Sequence, residues 1–294
     1  MWNRVLLLAS GIALGWNVVH YWAAPQEDIS RMRLRLGLSA GLGVLVVVLL
    51  ALASWQAAAL GLGILLVVAW VAYTAHARQL SRAAPLWGYP LPDRPEVDDP
   101  HVAVLLVAKG EPPLYDGPTY WAQRLRERQN QGEAVPHWFL WPLVCARVRS
   151  AYGALRGGNP TNAAVAQLAE ALAGRLRERF IVQAVFTATP PFLAEALQEL
   201  VMRGFRRAVL VPVGWEGDPQ DILHEQARHS RAQEAELEII YAGLCPEVAL
   251  PPGSEGRRLA RWLAGRAPED PPAWGEEALA ALQCEVLRHA PPEA

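Results

Sequence analysis

Charge is missing from one long stretch of the chain: between Leu36 and Ala75 there is no Asp, Glu, Lys or Arg. Charged residues are dense elsewhere, so the hydrophobic share of 52% and the net charge of −2 average two unlike parts of a 294-residue chain. Lysine is almost absent. It occurs once, at Lys109, although Lys and Arg together number 27; an arginine-biased genome accounts for this and leaves the single lysine conspicuous. Cysteine is also scarce. Cys145, Cys245 and Cys284 are far apart and form no C-x-x-C pair, which argues against a zinc ribbon or a disulfide framework and fits a reducing compartment. No long basic run or aromatic-basic interleaving occurs in the charged part, so nucleic acid is not an expected partner. Missing too are G-x-x-x-x-G-K-[ST], G-x-G-x-x-G and G-x-S-x-G, and with them any support for nucleotide or acyl-transfer chemistry.

What is present begins with membrane-length apolar runs. A bilayer core takes about 20 apolar residues per helix, and Leu36–Ala75 supplies two such lengths with Trp55-Gln56 between them, which predicts a transmembrane hairpin. Val5–Ala23 is a further apolar stretch broken only by Asn17 and His20. It reads as a span or a signal peptide, and the span is favoured because cleavage after Ala24 would put bulky Trp22 where a small residue is needed. The expected spans are therefore 5–23, 36–54 and 57–75, within an anchor of residues 1–80. Arg31, Arg33 and Arg35 precede the hairpin and His76, Arg78 and Arg82 follow it, so the positive-inside bias puts both ends, and the domain beyond, in the cytoplasm. His20 is read as a ligand or as a polar residue at headgroup depth, the second being commoner. Gly37, Gly41 and Gly43, with Gly61 and Gly63 opposite, are expected to let the hairpin helices approach closely.

Pro85, Pro90, Pro92, Pro95 and Pro100 make residues 81–100 a semi-rigid linker. From there apolar strand-like runs alternate with amphipathic helices. The strands are expected at His101–Ala108, Ile181–Thr187, Ala208–Val213 and Leu237–Ala242. Val165, Leu168, Leu172 and Leu176 share one helical face, as do Leu193, Leu197 and Leu200, and Asn159-Pro160-Thr161 opens the first of these helices. Strands alternating with helices predict a parallel sheet with helices on both faces over residues 101–250, with ligands at the carboxyl ends of its strands. The loops to watch are Lys109–Pro118, Ala188–Phe192 and Gly214–Asp221. The tail, 251–294, reads as two amphipathic helices, Arg257–Arg266 and Ala273–His289, covering either the sheet or the membrane surface.

Lys109-Gly110-Glu111-Pro112 follows a strand directly, with Gly110 suited to a tight turn. Lys109 reads as an anchor for an anionic group or as a solvated loop lysine. After Gly214-Trp215-Glu216-Gly217 come Asp218 and Asp221, either of which suits a helix start, where a carboxylate is favoured by capping and dipole. Asp221, His224 and Glu225 also fall on one side of the first turns and supply oxygen and nitrogen donors for a divalent metal, although helix faces of this polarity are more often merely solvated.

Taken in order, these segments carry a resemblance. Val104-Leu-Leu-Val-Ala-Lys-Gly-Glu-Pro112, Tyr120 with Arg124–Arg128, Gly157-Gly158-Asn159-Pro160, Pro191-Phe192-Leu-Ala-Glu-Ala-Leu197 and Val211-Pro-Val-Gly-Trp215 with Asp218 and Asp221 make residues 102–225 similar to the chelatase superfamily, above all ferrochelatase. The resemblance implies a flavodoxin-like, class II chelatase-like α/β fold, a tetrapyrrole as substrate or ligand, and insertion of a divalent metal such as iron. It places catalysis on Asp221, His224 and Glu216, metal handling on Asp218, Asp221 and His224, and substrate contacts on Lys109, Glu111, Tyr115 and Trp215. The departures are as informative. The family's metal-handling histidine is missing after Val209–Gly214, its second-half histidine position is Pro219 and its glutamate position is Asp221, and Thr187-Ala-Thr-Pro190 has no histidine. One half-domain implies a second copy to complete a cleft, as in the short homodimeric cobalt-chelatases. Two functions follow: a membrane-anchored chelatase of haem biosynthesis, or a subunit that binds a tetrapyrrole or assembles a membrane complex without inserting metal. The expected partners are the lipid bilayer, a tetrapyrrole, and a second copy or membrane-complex subunits.

Overall fold

A computed structural model describes residues 2–82, 89–176, 178–268, 271 and 273–290, with side chains from residue 5 onward. The central part of the expected linker, 83–88, and the last residues of the tail, 291–294, lie outside the described residues. The chain gathers into two compact units. One comprises Met1–Ala84, Leu114–Leu155 and Trp262–Ala267; the other comprises Pro85–Pro113, Arg156–Arg261 and Pro268–Ala294. The expected α/β region, 101–250, is thus interrupted by a stretch that belongs with the N-terminal helices.

The first unit is built on α1 (Trp2–Ala23), α2 (Ile29–Ala53) and α3 (Trp55–Leu80). All three are long and apolar enough to cross a membrane. Ser54 makes the hairpin turn: it ends α2 and caps α3, its hydroxyl accepting the Ala57 N–H at 3.0 Å. Leu7 packs with Val46 and Leu65, and Val19 with Tyr73 and Ala77, so α1 and α3 run parallel and α2 runs back against both. The outward side chains remain apolar: Leu52 is 80% exposed, Leu60 69% and Val67 63%, a surface suited to lipid rather than water. Asn17, the polar break in the first span, donates to Ser39 Oγ at 3.2 Å. The glycine expectation is corrected in part. A Cβ at Gly37, Gly41 or Gly63 would meet nothing, whereas one at Gly15 would strike the Ala69 carbonyl oxygen at 2.1 Å. The closest backbone approach of this kind is therefore between α1 and α3, because parallel packing puts Gly11 and Gly15 on their seam.

Two shorter helices, α4 (Thr119–Asn130) and α5 (Trp141–Gly153), complete this unit. Arg149 on α5 donates to the carbonyls of Tyr21 at 2.9 Å and Ala24 at 2.8 Å, and Tyr115 OH donates to that of Ala23 at 2.9 Å. These donors satisfy carbonyls that the end of α1 leaves open, with a cation at the negative end of its dipole. Within the same unit Tyr152 stacks on Trp262 at 4.4 Å and Trp121 meets both rings edge-on.

The second unit contains the sheet: β1 (Asp99–Ala108), β2 (Phe180–Phe186), β3 (Phe205–Pro212) and β4 (Glu238–Tyr241). Every pairing is parallel and the order is β2-β1-β3-β4, the flavodoxin-like arrangement. Strand geometry turns alternate residues of β1 to opposite faces. Val102, Val104, Leu106 and Ala108 join one core with α6 (Thr161–Arg175) and α10 (Glu276–His289). Ala103, Leu105 and Val107 join the other, with α7 (Leu193–Met202) and α8 (Gln220–Ser230). β1 is buried on both sides, which is why it reads as an unbroken aliphatic run. The tail is also resolved as a sheet cover in part: Ala278, Leu279, Leu282 and Val286 of α10 belong to the first of these cores. Ahead of α10, α9 (Ser254–Leu263) starts in this unit.

Candidate functional site

In this strand order the chain reverses direction between β1 and β3, so the crevice outside their carboxyl ends is where the fold offers a ligand site. β1 ends at Ala108, and Gly110 turns the chain with φ +79°. Any Cβ there would stand 2.3 Å from Thr189 Oγ1 and 2.8 Å from Phe186 Cβ, so glycine is required twice over. β3 ends at Pro212; Val213 N–H reaches Val107 O at 2.9 Å, and Gly214, with φ +71°, turns the chain so that its N–H meets Val248 O at 2.9 Å. Lys109, Glu111 and the Trp215-Glu216 segment are thereby delivered to one edge of the sheet.

That edge is occupied by the first turn of α9. Glu216 accepts the Gly253 N–H at 3.2 Å and also the Glu255 N–H, placing a carboxylate at the positive end of the helix. Glu255 in turn pairs with Lys109 Nζ at 3.3 Å. Deeper in, Glu111, whose side chain is 4% exposed, accepts Arg258 Nε at 2.9 Å on one oxygen and Asn159 Nδ2 at 2.8 Å on the other. Arg258 also donates to Asn159 Oδ1 at 3.3 Å and to Thr161 Oγ1. Asn162 closes the network: its Oδ1 accepts Glu111 N–H at 2.9 Å, and its amide donates to Thr189 Oγ1 at 3.0 Å. A carboxylate buried this deeply is costly without such partners, so the network holds the mouth and the start of α9 as one assembly.

The remaining expected site residues take no part in this network. Trp215 is 5% exposed and spends its indole N–H on Val107 O at 2.9 Å, so its role here is to pin the β3 loop to β1. Asp218 is exposed and accepts the Gln220 N–H at 3.1 Å from one position ahead of the helix cap, which is Pro219. Asp221 is exposed in the first turn of α8. His224 is exposed on the same helix, with Nδ1 2.7 Å from Gln220 O and its ring stacked 3.7 Å from Tyr241. Among the described residues, no three His, Cys, Asp or Glu side chains gather in a way that could hold a metal ion, so the structure does not bring Asp218, Asp221 and His224 together as a ligand set. Tyr115 belongs to the first unit, where burial pushes its phenol well above the usual range. The beginning of the sheet's polar mouth, Lys109 and Glu111, was legible from the strand-loop pattern. Arg258 and Glu255 were not, because α9 reads from sequence only as an amphipathic helix. Asn159 was recognised as a helix opener. Its Oδ1 does accept Thr161 N–H at 3.2 Å, while its amide serves Glu111, a second duty with no local signal.

No curated protein matched the chain. A family model described as Ferrochelatase matches residues 101–214, which include Lys109, Glu111 and Tyr115 and stop short of Trp215, Glu216 and α8. From the first strand to the turn after β3, the chain is ferrochelatase-like.

Proposed function

We propose that this is a membrane-anchored, ferrochelatase-like protein that binds a tetrapyrrole on the cytoplasmic side without inserting metal into it. The family match supports the ligand class. One observation weighs against insertion: Glu111, the buried carboxylate at the sheet mouth, is committed to Arg258 and Asn159. Insertion requires a group near the macrocycle that takes up pyrrole protons at neutral pH, for which histidine is the usual choice. The histidine nearest in sequence to the loop after β3, His224, lies on the exposed side of α8 against Tyr241. A flat macrocycle would enter at the β1 and β3 ends only as the start of α9 withdraws. Its carboxylates would then meet Lys109, a cation suited to propionate groups. The basic residues around the ends of α2 and α3 support the cytoplasmic placement of the domain.

A second reading, a metal-inserting chelatase, draws on the gathering of Lys109, Glu111 and Glu216 at the β1/β3 switch point, where this fold class does its chemistry. In that reading, withdrawal of α9 frees Glu111 and Glu216 to take protons and guide a divalent metal, and a second copy completes the cleft. The deciding experiment uses the full chain in detergent. Protoporphyrin is titrated against it by absorbance, then iron or zinc is added and the metalloporphyrin spectrum is followed. Binding with no rate of insertion above the protein-free blank is the expected result. Insertion that depends on Glu111 or Glu216 overturns it in favour of the enzyme, and failure to bind overturns both.

A further inference from the structure

Outside the sheet mouth, one pair of metal-ligating side chains is left without a role. His20 near the end of α1 and His76 near the end of α3 place their Nε2 atoms 3.0 Å from one another. The parallel course of these helices brings their ends to one level. His76 is held from both sides: Nδ1 faces Gln79 Oε1 at 3.0 Å, and Trp16 stacks on the ring at 3.9 Å and 20°. An amide oxygen on Nδ1 takes the N–H of that nitrogen and leaves the Nε2 lone pair aimed at His20. A carbonyl oxygen behind the far ring nitrogen is the arrangement that orients a metal-bound histidine.

We propose that His20 and His76 form a two-imidazole site for a borderline divalent cation, Zn2+, Ni2+ or Cu2+, within the helical anchor. With metal–nitrogen bonds of about 2.0–2.1 Å at a tetrahedral angle, two imidazole nitrogens on one ion stand about 3.3–3.4 Å apart. The 3.0 Å separation needs to open by only a few tenths of an ångström. In the metal-free protein His20 donates the proton between the rings; the cation takes that place as His20 shifts its N–H to Nδ1. Both residues are partly exposed, so an ion can reach them. No third His, Cys, Asp or Glu joins the pair among the described residues, which leaves the other positions to water or to a ligand brought with the ion. Imidazole donors suit these metals and not Mg2+ or Ca2+. Arg35 on α2 acts on His20 electrostatically and opposes a cation, which limits the affinity.

The test is Cu2+ binding to the full chain in detergent or nanodiscs, with electron paramagnetic resonance to count bound nitrogens. One ion with two equivalent imidazole nitrogens is expected, falling to one nitrogen in His20→Gln and in His76→Gln, with at least a tenfold loss of affinity in each. Gln79→Ala weakens binding severalfold by freeing the His76 ring, Arg35→Gln strengthens it, and His224→Ala leaves it unchanged. A second measurement needs no variant: Zn2+, but not Mg2+, slows carbethoxylation of His20 and His76 in the wild-type chain, read by mass spectrometry. Unaltered nitrogen count and affinity in both glutamine variants overturn the site, as does absence of protection by Zn2+. The tetrapyrrole titration does not involve these residues, so the two proposals fail separately.

Discussion

Arg258→Met tests whether the start of α9 is fastened over the sheet mouth. The substitution keeps most of the side-chain bulk and removes the guanidinium 2.9 Å from Glu111, a carboxylate whose side chain is 4% exposed. Removing one partner of a buried pair costs about 3–5 kcal/mol. Asn159 still donates to the other oxygen at 2.8 Å and the Arg258 side chain is 19% exposed, so the lower end, about 3 kcal/mol, applies. For a cooperative unit of this size that is a fall in Tm of about 6–12 °C. Glu111→Gln alone should cost a similar amount, by stranding the arginine. The double variant should recover to within about 1 kcal/mol of the parent, since removing both charges also removes the desolvation cost of each. The assay is thermal unfolding of the four proteins in one detergent by circular dichroism, with pulse proteolysis as a check where unfolding is irreversible. Additive losses, with a coupling below about 0.5 kcal/mol, would refute the reasoning and show that the mouth is held by other contacts.

Arg258→Met should also bind protoporphyrin more tightly than the parent if α9 bars entry, and unchanged affinity in the same titration would count against that route. Gly110→Ala should lower stability by about 1–3 kcal/mol, because φ is +79° and the new Cβ falls 2.3 Å from Thr189 Oγ1; a chemical denaturation midpoint equal to the parent contradicts this. Asp221→Asn and His224→Ala, both on the exposed side of α8, should change stability by less than about 0.5 kcal/mol and leave tetrapyrrole affinity intact. Cys284 is exposed and should react with a thiol reagent in the native protein, while Cys145 and Cys245, buried with thiols pushed up to about 12 and about 11, should react only after unfolding. The same shift fixes an alkaline limit. A thiol whose pKa is raised on folding stabilises fully below its unfolded value and loses that contribution as pH rises through the folded one, so Cys145 weakens the fold from about pH 9 towards about pH 12, an effect that Cys145→Ala removes from the stability profile.

Much of the architecture followed from local pattern. The charge-free stretch fixed the apolar helices because a bilayer core tolerates neither charge nor unpaired backbone. The aliphatic runs at β1, β2 and β3 indicated a parallel sheet because only strands covered on both faces are apolar throughout. Gly110 marked a turn through the one residue type that accepts its dihedral. What local pattern does not carry is partnership across distance. That Leu114–Leu155 belongs with the N-terminal helices, that Gly15 meets Ala69, and that His20 faces His76 depend on which helices lie side by side. Arg258 stands 147 residues from Glu111 and the two meet only because α9 begins at the carboxyl edge of the sheet. An ion pair has no sequence period, so periodicity could place the acid and the base on their own elements, and only tertiary packing could join them.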